Sequence, residues 1–205
     1  HHLCHLASAF FSSNYTRSAI LSVDGFGDFS SASWGIGNSN NLSIDGYVYF
    51  PHSLGIFYSA ITQFLGFPNF GDEYKLMGLA PYGYPRYVNE MREIVSLLDN
   101  GLFKLNKKYF VHYRKKVDLQ WNTGAPKLEK LFTEDLVNLL GIKPRKNSEP
   151  LTQIHKDIAA SVQVTYENAF FNLLNMVSKK YELDTLCLAG GCAANSVANG
   201  KITRF

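Results

Sequence analysis

The sequence predicts an α/β fold in which helices cover a mixed β-sheet. Two observations carry this prediction: three strand-like stretches follow one another early in the chain, and a long helical pattern near the C-terminus leads into a further short apolar run. The 205 residues are 46% hydrophobic and include 15 Phe and 12 Tyr, enough for a substantial core, which excludes a disordered or disulfide-stapled chain.

The strands are predicted from apolar, β-branched runs bounded by turn residues. Residues 19–23 form a buried strand that stops at a tight turn beginning with Asp24. Residues 29–37 and 42–50 are separated by a run of Gly, Asn and Ser, so the three strands should pair antiparallel. A last buried strand is predicted at residues 185–189.

The helices are predicted from apolar residues that recur every three or four positions. They cover residues 1–11, 53–65, 87–98, 127–140 and 152–181. The stretch 72–83 contains Gly and Pro and should break any helix quickly. Three strands and a helix, followed later by a helix and a strand, is the order of a ribonuclease-H-like α/β unit.

Composition limits the partners of the chain. The formal net charge of +3 is too weak to indicate nucleic acid. A basic and aromatic run at residues 104–116 resembles a polyanion-contact surface, although a solvated face is the commoner explanation, and it lies in a predicted insertion at 103–150. Three cysteines without a CxxC pair and no bilayer-spanning apolar run indicate a cytoplasmic protein without a membrane partner.

The chain opens with His1-His2-Leu3-Cys4-His5. On a helix, His1 and His5 lie four residues apart on one face, so both imidazoles can bind one metal ion, whereas His2 points elsewhere. A tag remnant or two solvated histidines would give the same pattern. A zinc-protease interpretation is disfavoured because no HExxH arrangement is present.

Asp24 stands at the end of the first predicted strand and is followed by Gly25 and Gly27. A carboxylate in this place can hold a cation, and glycines let backbone N–H groups approach a phosphate. An ordinary Asp-Gly hairpin turn is the alternative interpretation.

Gly190-Gly191 stands between the last predicted strand and a helix start at 193–198. Such a junction directs N–H groups and the positive end of a helix dipole toward an anion, which suits a nucleotide or a phosphate. The spacing matches neither GxGxxG nor a P-loop, and a plain strand-to-helix turn would look the same.

Two further segments could line a binding site. Ser53 and Gly55 open a predicted helix, where amides can meet phosphate oxygens. The run from Gly71 to Gly83 mixes charged, apolar and glycine residues, so we predict a pocket wall with Lys75 available to contact a phosphate or carbonyl.

Together these motifs resemble the carbamoyltransferase family of nodulation-factor and antibiotic O-carbamoyltransferases. The resemblance spans nearly the whole chain, and the region 103–150 is its least diagnostic part. The matching blocks, in the family's order, are HHLCHLASAF at 1–10, VDGFGD at 23–28, SLGIFY at 53–58, DEYKLMGLAPYG at 72–83 and LAGGCAAN at 188–195.

The resemblance implies an actin-like ATPase fold, shared with tRNA threonylcarbamoyl-transfer and hydrogenase-maturation proteins. In that family a carbamoyl-adenylate, made from carbamoyl phosphate and ATP, is bound beside an iron ion and passes its carbamoyl group to a hydroxyl. We therefore expect metal-assisted acyl transfer to a small hydroxylated acceptor, with iron or zinc as the Lewis acid.

Carried over position by position, the resemblance also implies residue roles. His1, His5 and Asp24 would be metal ligands and catalytic residues, with Asp24 close to the adenylate phosphate. The residues expected to bind the cofactor are Asp24, Gly25, Gly27, Ser53, Gly55, Lys75, Gly190, Gly191 and Asn195.

The family pattern also extends beyond this sequence. It includes a further metal-binding aspartate after the double glycine, so we expect residues 1–205 to be part of one actin-like domain, inactive alone, that pairs with a copy of itself or with other segments. Two alternatives stay open: a non-catalytic remnant that binds nucleotide or metal, and an actin-fold kinase, in which the HxxxH pair would have no role.

Overall fold

The computed structural model describes residues 1–121 and 124–203, so residues 122–123 of the predicted insertion and the last two residues lie outside the description. Contacts divide the chain into two compact units. The first comprises residues 1–55, 97–104 and 169–205, and the second comprises residues 56–96 and 105–168.

The described elements come in runs of strands and runs of helices along the chain. The helices are α1 (His2–Phe11), α2 (Leu54–Phe64), α3 (Glu73–Leu79), α4 (Val88–Ile94), α5 (Glu134–Leu140), α6 (Gln153–Tyr181) and α7 (Ser196–Ile202). The strands are β1 (Arg17–Gly27), β2 (Ser30–Asn38), β3 (Asn41–Tyr49), β4 (Val95–Leu97), β5 (Phe103–Leu105), β6 (Leu119–Gln120), β7 (Lys127–Leu128) and β8 (Leu186–Ala189). Short 3-10 helices cover Ala80–Tyr82, Lys107–Tyr109 and Cys192–Ala194. Within the described ranges, no helix is long and apolar enough to cross a bilayer.

The first unit is built on a four-stranded mixed sheet in the order β3-β2-β1-β8. The strands β1, β2 and β3 pair antiparallel, and β8 lies parallel to β1, with Ala19 opposite Leu186. A parallel pair needs a crossover connection, which the long segment between β3 and β8 provides. This arrangement confirms the predicted mixed α/β sheet.

Helix α1 packs on this sheet through an apolar face and one buried histidine. Leu6 and Phe10 are buried against Ile20 and Cys187. His2 is 2% exposed, and its two ring nitrogens lie 3.0 Å from the Ser22 hydroxyl and 3.0 Å from the Ser30 carbonyl. Because a carbonyl can only accept a hydrogen bond, the proton must be on Nε2. His2 therefore fixes the start of α1 to both β1 and β2.

Strand β1 is longer than the sequence predicts. The expected turn at Asp24-Gly25 is wrong: regular pairing with β2 is interrupted after Val23 and resumes where Gly27 faces Ser30. The turn lies instead at Asp28 and Phe29, whose φ angles are 51° and 62°. Such an irregularity re-aims the side chains within a strand, and here it includes Asp24.

Several helix boundaries also differ from prediction. The helix expected over 87–98 ends at Ile94, because the next three residues pair as β4 with β5 across the turn at Gly101. The helix expected over 127–140 begins at Glu134, because Lys127–Leu128 pairs with β6. In the stretch 72–83, α3 passes through Gly78 without breaking. The helices predicted over 1–11, 53–65 and 152–181 are confirmed as α1, α2 and α6.

The second unit has an aromatic core of its own. The rings of Tyr58 and Tyr166 meet edge to face at 5.6 Å, and those of Phe64 and Phe132 at 5.5 Å. Phe132 is buried and belongs to the region predicted as an insertion, so that region supplies core side chains. Its status as an insertion stays a prediction.

Asp157 of α6 is a buried carboxylate in the second unit, with its side chain 3% exposed. Its Oδ1 accepts hydrogen bonds from the Tyr84 backbone N–H at 2.9 Å and the Gln153 amide at 2.8 Å, and its Oδ2 lies 3.5 Å from Arg86. Burial alone would raise the pKa of Asp157, but the two hydrogen bonds and Arg86 outweigh burial and lower it. The ionised carboxylate thus holds the loop before α4 to α6.

The residue that follows β8 lies directly on β1. Gly190 has φ of 94°, and a Cβ added there would lie 2.3 Å from the Val23 carbonyl oxygen. Both the backbone conformation and the close approach therefore require glycine.

We expect Asp157→Ala to lower the free energy of unfolding by about 2 kcal/mol at pH 7, because the Tyr84 N–H loses its acceptor. The pKa of folded Asp157 is lowered from its usual 3.8, so its stabilisation is present above the unfolded pKa and declines as pH falls through the folded pKa. Urea unfolding at pH 7 and under acidic conditions measures this. Asp184→Ala, at an exposed position, should change stability by less than about 0.5 kcal/mol. The expectation would be contradicted if wild type and Asp157→Ala differed as much in free energy of unfolding under acidic conditions as at pH 7.

We expect Gly190→Ala to destabilise the chain by at least about 1 kcal/mol, because the added Cβ forces the backbone away from β1. Gly200→Ala is the matched control, since a Cβ there has nothing within 4 Å and α7 should gain about 0.5–1 kcal/mol. Thermal unfolding of both variants tests the difference, and equal melting temperatures would count against it.

Candidate functional site

Three side chains meet above the first turn of α1. The Nε2 atom of His1 lies 2.6 Å from Asp24 Oδ2, and the Nε2 atom of His5 lies 3.2 Å from the same oxygen. The two Nε2 atoms are 3.1 Å apart. Among the described residues, His1, His5 and Asp24 form a group whose possible ligand atoms all lie within 4.8 Å of one another. The helical spacing of the histidines and the irregular part of β1 together produce this cluster.

The cluster is open to solvent on one side. The side chains of His1, His5 and Asp24 are 37%, 31% and 19% exposed. A small molecule can therefore reach the imidazoles, while the carboxylate is the most enclosed of the three.

The second oxygen of Asp24 is fixed by the loop after β8. The Gly191 backbone N–H donates to Asp24 Oδ1 at 3.1 Å. The carboxylate therefore presents Oδ2 to the histidines with its rotation restricted. A hydrogen bond of this kind to the far oxygen is the usual way in which a ligating carboxylate is oriented.

The glycines of the VDGFGD block lie at two different places relative to the cluster. A Cβ added to Gly27 would lie 2.0 Å from the ring of His1, so the backbone of β1 lies directly against that imidazole. A Cβ on Gly25 would have nothing within 4 Å. Gly27 therefore makes room for His1, and Gly25 faces open space beside Asp24.

Ser53 and Gly55 hold the start of α2 against β1. The Ser53 hydroxyl donates to the Gly25 carbonyl at 2.6 Å, and a Cβ on Gly55 would lie 2.8 Å from the Gly25 Cα and 3.0 Å from Cys192 Sγ. Both predicted residues therefore lie in the first unit next to the cluster. Their contact with phosphate stays a prediction.

Asn195 and Lys75 have partners within the protein. The Asn195 side-chain oxygen accepts from the Ala198 N–H at 3.0 Å and caps α7, whose start follows a 3-10 helix over Cys192–Ala194. Lys75 belongs to the second unit, where its ammonium lies 2.7 Å from Asp72. The hydrogen bond to Asp72 raises the pKa of Lys75.

The basic run at 104–116 is partly neutralised by carboxylates. Lys108 pairs with Asp135 at 3.5 Å, and Lys115 with Glu129 at 3.4 Å. Lys116 also pairs, at 2.7 Å from Asp118. These pairs reduce the charge that the run offers to a polyanion and agree with the solvated-face interpretation.

Sequence reasoning missed a cavity of about 210 Å³ beside the cluster. His1 is part of the cluster and also lines the cavity. The lining residues are His1, His2, Leu3, Asp28, Ser30, Tyr47 and Tyr49. The sequence could have indicated this cavity wall, because Tyr47 and Tyr49 are two residues apart on a strand and their rings therefore lie on one face of the sheet.

The donor set fits a transition-metal ion. Two ligand atoms held at ~2.0–2.1 Å from one ion, at octahedral or tetrahedral angles, lie about 2.8–3.4 Å apart. The separations of His5 from Asp24, 3.2 Å, and from His1, 3.1 Å, fall in this range, and the shorter His1–Asp24 contact is a hydrogen bond. Two imidazoles with one carboxylate suit iron or zinc better than magnesium or calcium.

Comparison with known proteins identifies relatives over the full sequence. The family model described as the carbamoyltransferase N-terminus matches residues 1–205. An uncharacterized protein of Synechocystis sp. is 42% identical over 205 residues, which cover 100% of this chain and 31% of that protein. The nodulation protein NolNO of Sinorhizobium fredii is 36% identical over 207 residues, covering 100% of this chain and 26% of NolNO. NolO of Bradyrhizobium diazoefficiens is 37% identical over 205 residues, covering 98% of this chain and 32% of NolO.

The chain thus spans about a third or less of the length of these curated relatives. The match extends over the segments that supply His1, His5, Asp24 and Gly191, so the relationship includes the whole candidate site. The chain belongs to the carbamoyltransferase family, to whose N-terminal region it corresponds.

Proposed function

We propose that His1, His5 and Asp24 hold one divalent metal ion, iron in the first place and zinc as the alternative. The observation that carries this proposal is the convergence of two imidazole nitrogens and one carboxylate oxygen within 4.8 Å. The hydrogen bond from Gly191 to Asp24 supports it, because it orients the carboxylate without occupying Oδ2.

The ion would supply Lewis acidity toward a carbonyl oxygen of a bound acyl donor. The protein's own residues prepare the site for that ion. His2 anchors α1 to the sheet, Gly27 lets the His1 ring lie against β1, and the Gly191 N–H restricts the rotation of Asp24. Each of these contacts reduces the reorganisation needed when the ligands bind an ion.

We further propose that the full-length protein transfers a carbamoyl group from carbamoyl-adenylate to a hydroxyl of a small molecule. The acceptor oxygen forms a bond to the carbamoyl carbon, and the bond between that carbon and the adenylate phosphate oxygen breaks. AMP leaves with the electron pair of that bond, and the hydroxyl proton is released to water. Family membership supports carbamoyl transfer in general, and the accessible cluster supports activation of a carbonyl.

The adenylate half of the donor is proposed to lie on the Gly190–Gly191 side of Asp24. A Cβ on Gly25 would have nothing within 4 Å, and Gly190 and Gly191 have no side chain to exclude a phosphate. Asn195, which caps α7, would line the same side. Lys75 is proposed separately as a phosphate or carbonyl contact, made at the expense of its ion pair with Asp72.

Metal content tests the cluster independently of activity. We expect His5→Ala and Asp24→Ala of the full-length protein to lose at least tenfold in affinity for Fe²⁺ and Zn²⁺, because each removes one of three ligands. The measurement is metal per chain after anaerobic loading and dialysis. Cys4→Ala, exposed on the same helix, should bind metal like the wild type. Equal metal content in wild type, His5→Ala and Asp24→Ala would contradict the proposal.

Transfer is tested with radiolabelled carbamoyl phosphate, ATP and a pool of hydroxylated acceptors. We expect ATP-dependent labelling of an acceptor by the full-length wild type and at least a hundredfold loss in Asp24→Ala, since that variant loses a ligand and the contact to Gly191. Cys4→Ala should keep the wild-type rate. Pyrophosphate release and labelling that both fail in the wild type would instead support a non-catalytic remnant, and phosphorylation of a sugar by ATP would support a kinase.

A further inference from the structure

The backbone that carries Asp24 is held at the residues on either side of it. Regular pairing of β1 with β2 is interrupted after Val23, so contacts from elsewhere hold the residues that follow. On one side, a Cβ added to Gly190 would lie 2.3 Å from the Val23 carbonyl oxygen. On the other side, the Ser53 hydroxyl lies 2.6 Å from the Gly25 carbonyl oxygen and 3.4 Å from that of Asp24.

The direction of the Ser53 hydrogen bond limits what this side chain can do. A carbonyl oxygen only accepts hydrogen bonds, so the single hydroxyl proton of Ser53 points to Gly25. The oxygens of an ionised phosphate diester also only accept, so a phosphate could bind this hydroxyl only by taking its proton away from Gly25. The two roles exclude each other, and the short contact in the structure favours the role toward the backbone.

Ser53 is itself held in place by its neighbours in the sequence. The carbonyl of His52 accepts a hydrogen bond at 2.6 Å from Ser31, which lies on β2 and is 1% exposed. A Cβ added to Gly55 would lie 2.8 Å from the Gly25 Cα, so this part of the chain packs directly on β1. Residues 52–55 therefore form a fixed support for the irregular part of β1.

We propose that Ser53 is a positioning residue for Asp24. Its hydrogen bond to Gly25 fixes the backbone from which the Asp24 carboxylate projects, and the Gly191 N–H then fixes the carboxylate itself. The inference rests on the proposed metal site and goes beyond it by assigning a residue that acts through the backbone. Loss of a direct partner of a ligand costs about 10–100-fold in metal affinity, and Ser53 acts one step further away, so we expect a loss of about fivefold.

Hydrogen exchange tests the positioning role without metal or substrate. In the metal-free full-length protein, the Gly191 amide donates to Asp24, so a carboxylate that turns freely should protect this amide less. We expect Ser53→Ala to raise the exchange rate of Gly191 at least about threefold. The measurement is deuterium uptake by mass spectrometry in a peptide that covers residues 187–193.

A second variant and a matched control keep this test independent of a general loss of stability. In Gly55→Ala the added Cβ forces Gly25 to shift while the Ser53 hydroxyl is kept, so Gly191 exchange should rise there too, even if Ser53→Ala fails to fold. Ser18 is also fully buried and lies on β1, but its hydroxyl donates to the adjacent carbonyl of Ala19. Ser18→Ala should therefore leave Gly191 exchange at the wild-type rate.

Metal affinity measures the consequence for the site. Binding of Fe²⁺ and Zn²⁺ should weaken about fivefold in Ser53→Ala and stay at the wild-type value in Ser18→Ala. A wild type that binds neither ion would overturn the proposed metal site, while Gly191 exchange would still decide whether Ser53 orients the carboxylate. If the wild type binds metal, the inference is overturned when Ser53→Ala matches Ser18→Ala in either readout. Weaker ATP binding in Ser53→Ala with unchanged Gly191 exchange would overturn it as well and assign the hydroxyl to a phosphate.

Discussion

The carboxylate of Asp24 connects three parts of the chain that are far apart in sequence. One oxygen faces the imidazoles of His1 and His5, and the other accepts the Gly191 N–H. These contacts require the irregular part of β1, the first turn of α1 and the loop after β8 to come together in one place. The orientation of the Asp24 carboxylate therefore depends on the pairing of β1 with β8.

Buried polar contacts around this carboxylate keep the surrounding elements in position. The His2 ring bridges to Ser22 and Ser30, and Ser53 donates to the Gly25 carbonyl. Each contact satisfies a polar group that would otherwise be costly to bury. Because these groups have partners within the protein, they serve the architecture of the site, whereas the imidazoles of His1 and His5 stay 37% and 31% exposed.

Local rules indicated the histidine pair and the carboxylate as two separate candidate motifs, and only the family resemblance implied that His1, His5 and Asp24 meet at one ion. Helical periodicity brings His1 and His5 to one face, and a carboxylate after a buried apolar run lies near the end of the sheet. The contact of Asp24 with Gly191 could not be predicted, since it depends on β8 lying parallel to β1 across most of the chain length. The end of β1 was misplaced because an Asp-Gly pair is also a common turn, and here the turn lies at Asp28-Phe29.

Tertiary pairing also overrode local helix signals elsewhere. Val95–Leu97 continues an amphipathic pattern but pairs with β5 instead, and Lys127–Leu128 pairs with β6 although it precedes a helix. Periodicity alone cannot distinguish these outcomes, because the partner strand lies in another part of the sequence. The long helix α6 was predictable because its pattern runs over 29 residues without a competing partner.

The hydrogen bond between Gly191 and Asp24 spans 167 residues, so Asp24 is oriented by the loop after β8 only once β8 has paired with β1. Bringing together residues so far apart in sequence costs conformational entropy, which the native contacts must offset. A ligand that binds only the completed cluster draws the folding equilibrium toward the native state by mass action. A ligand that binds the oriented Asp24 carboxylate more tightly than a freely rotating one would therefore favour the sheet with β8 paired over a sheet that lacks its last strand.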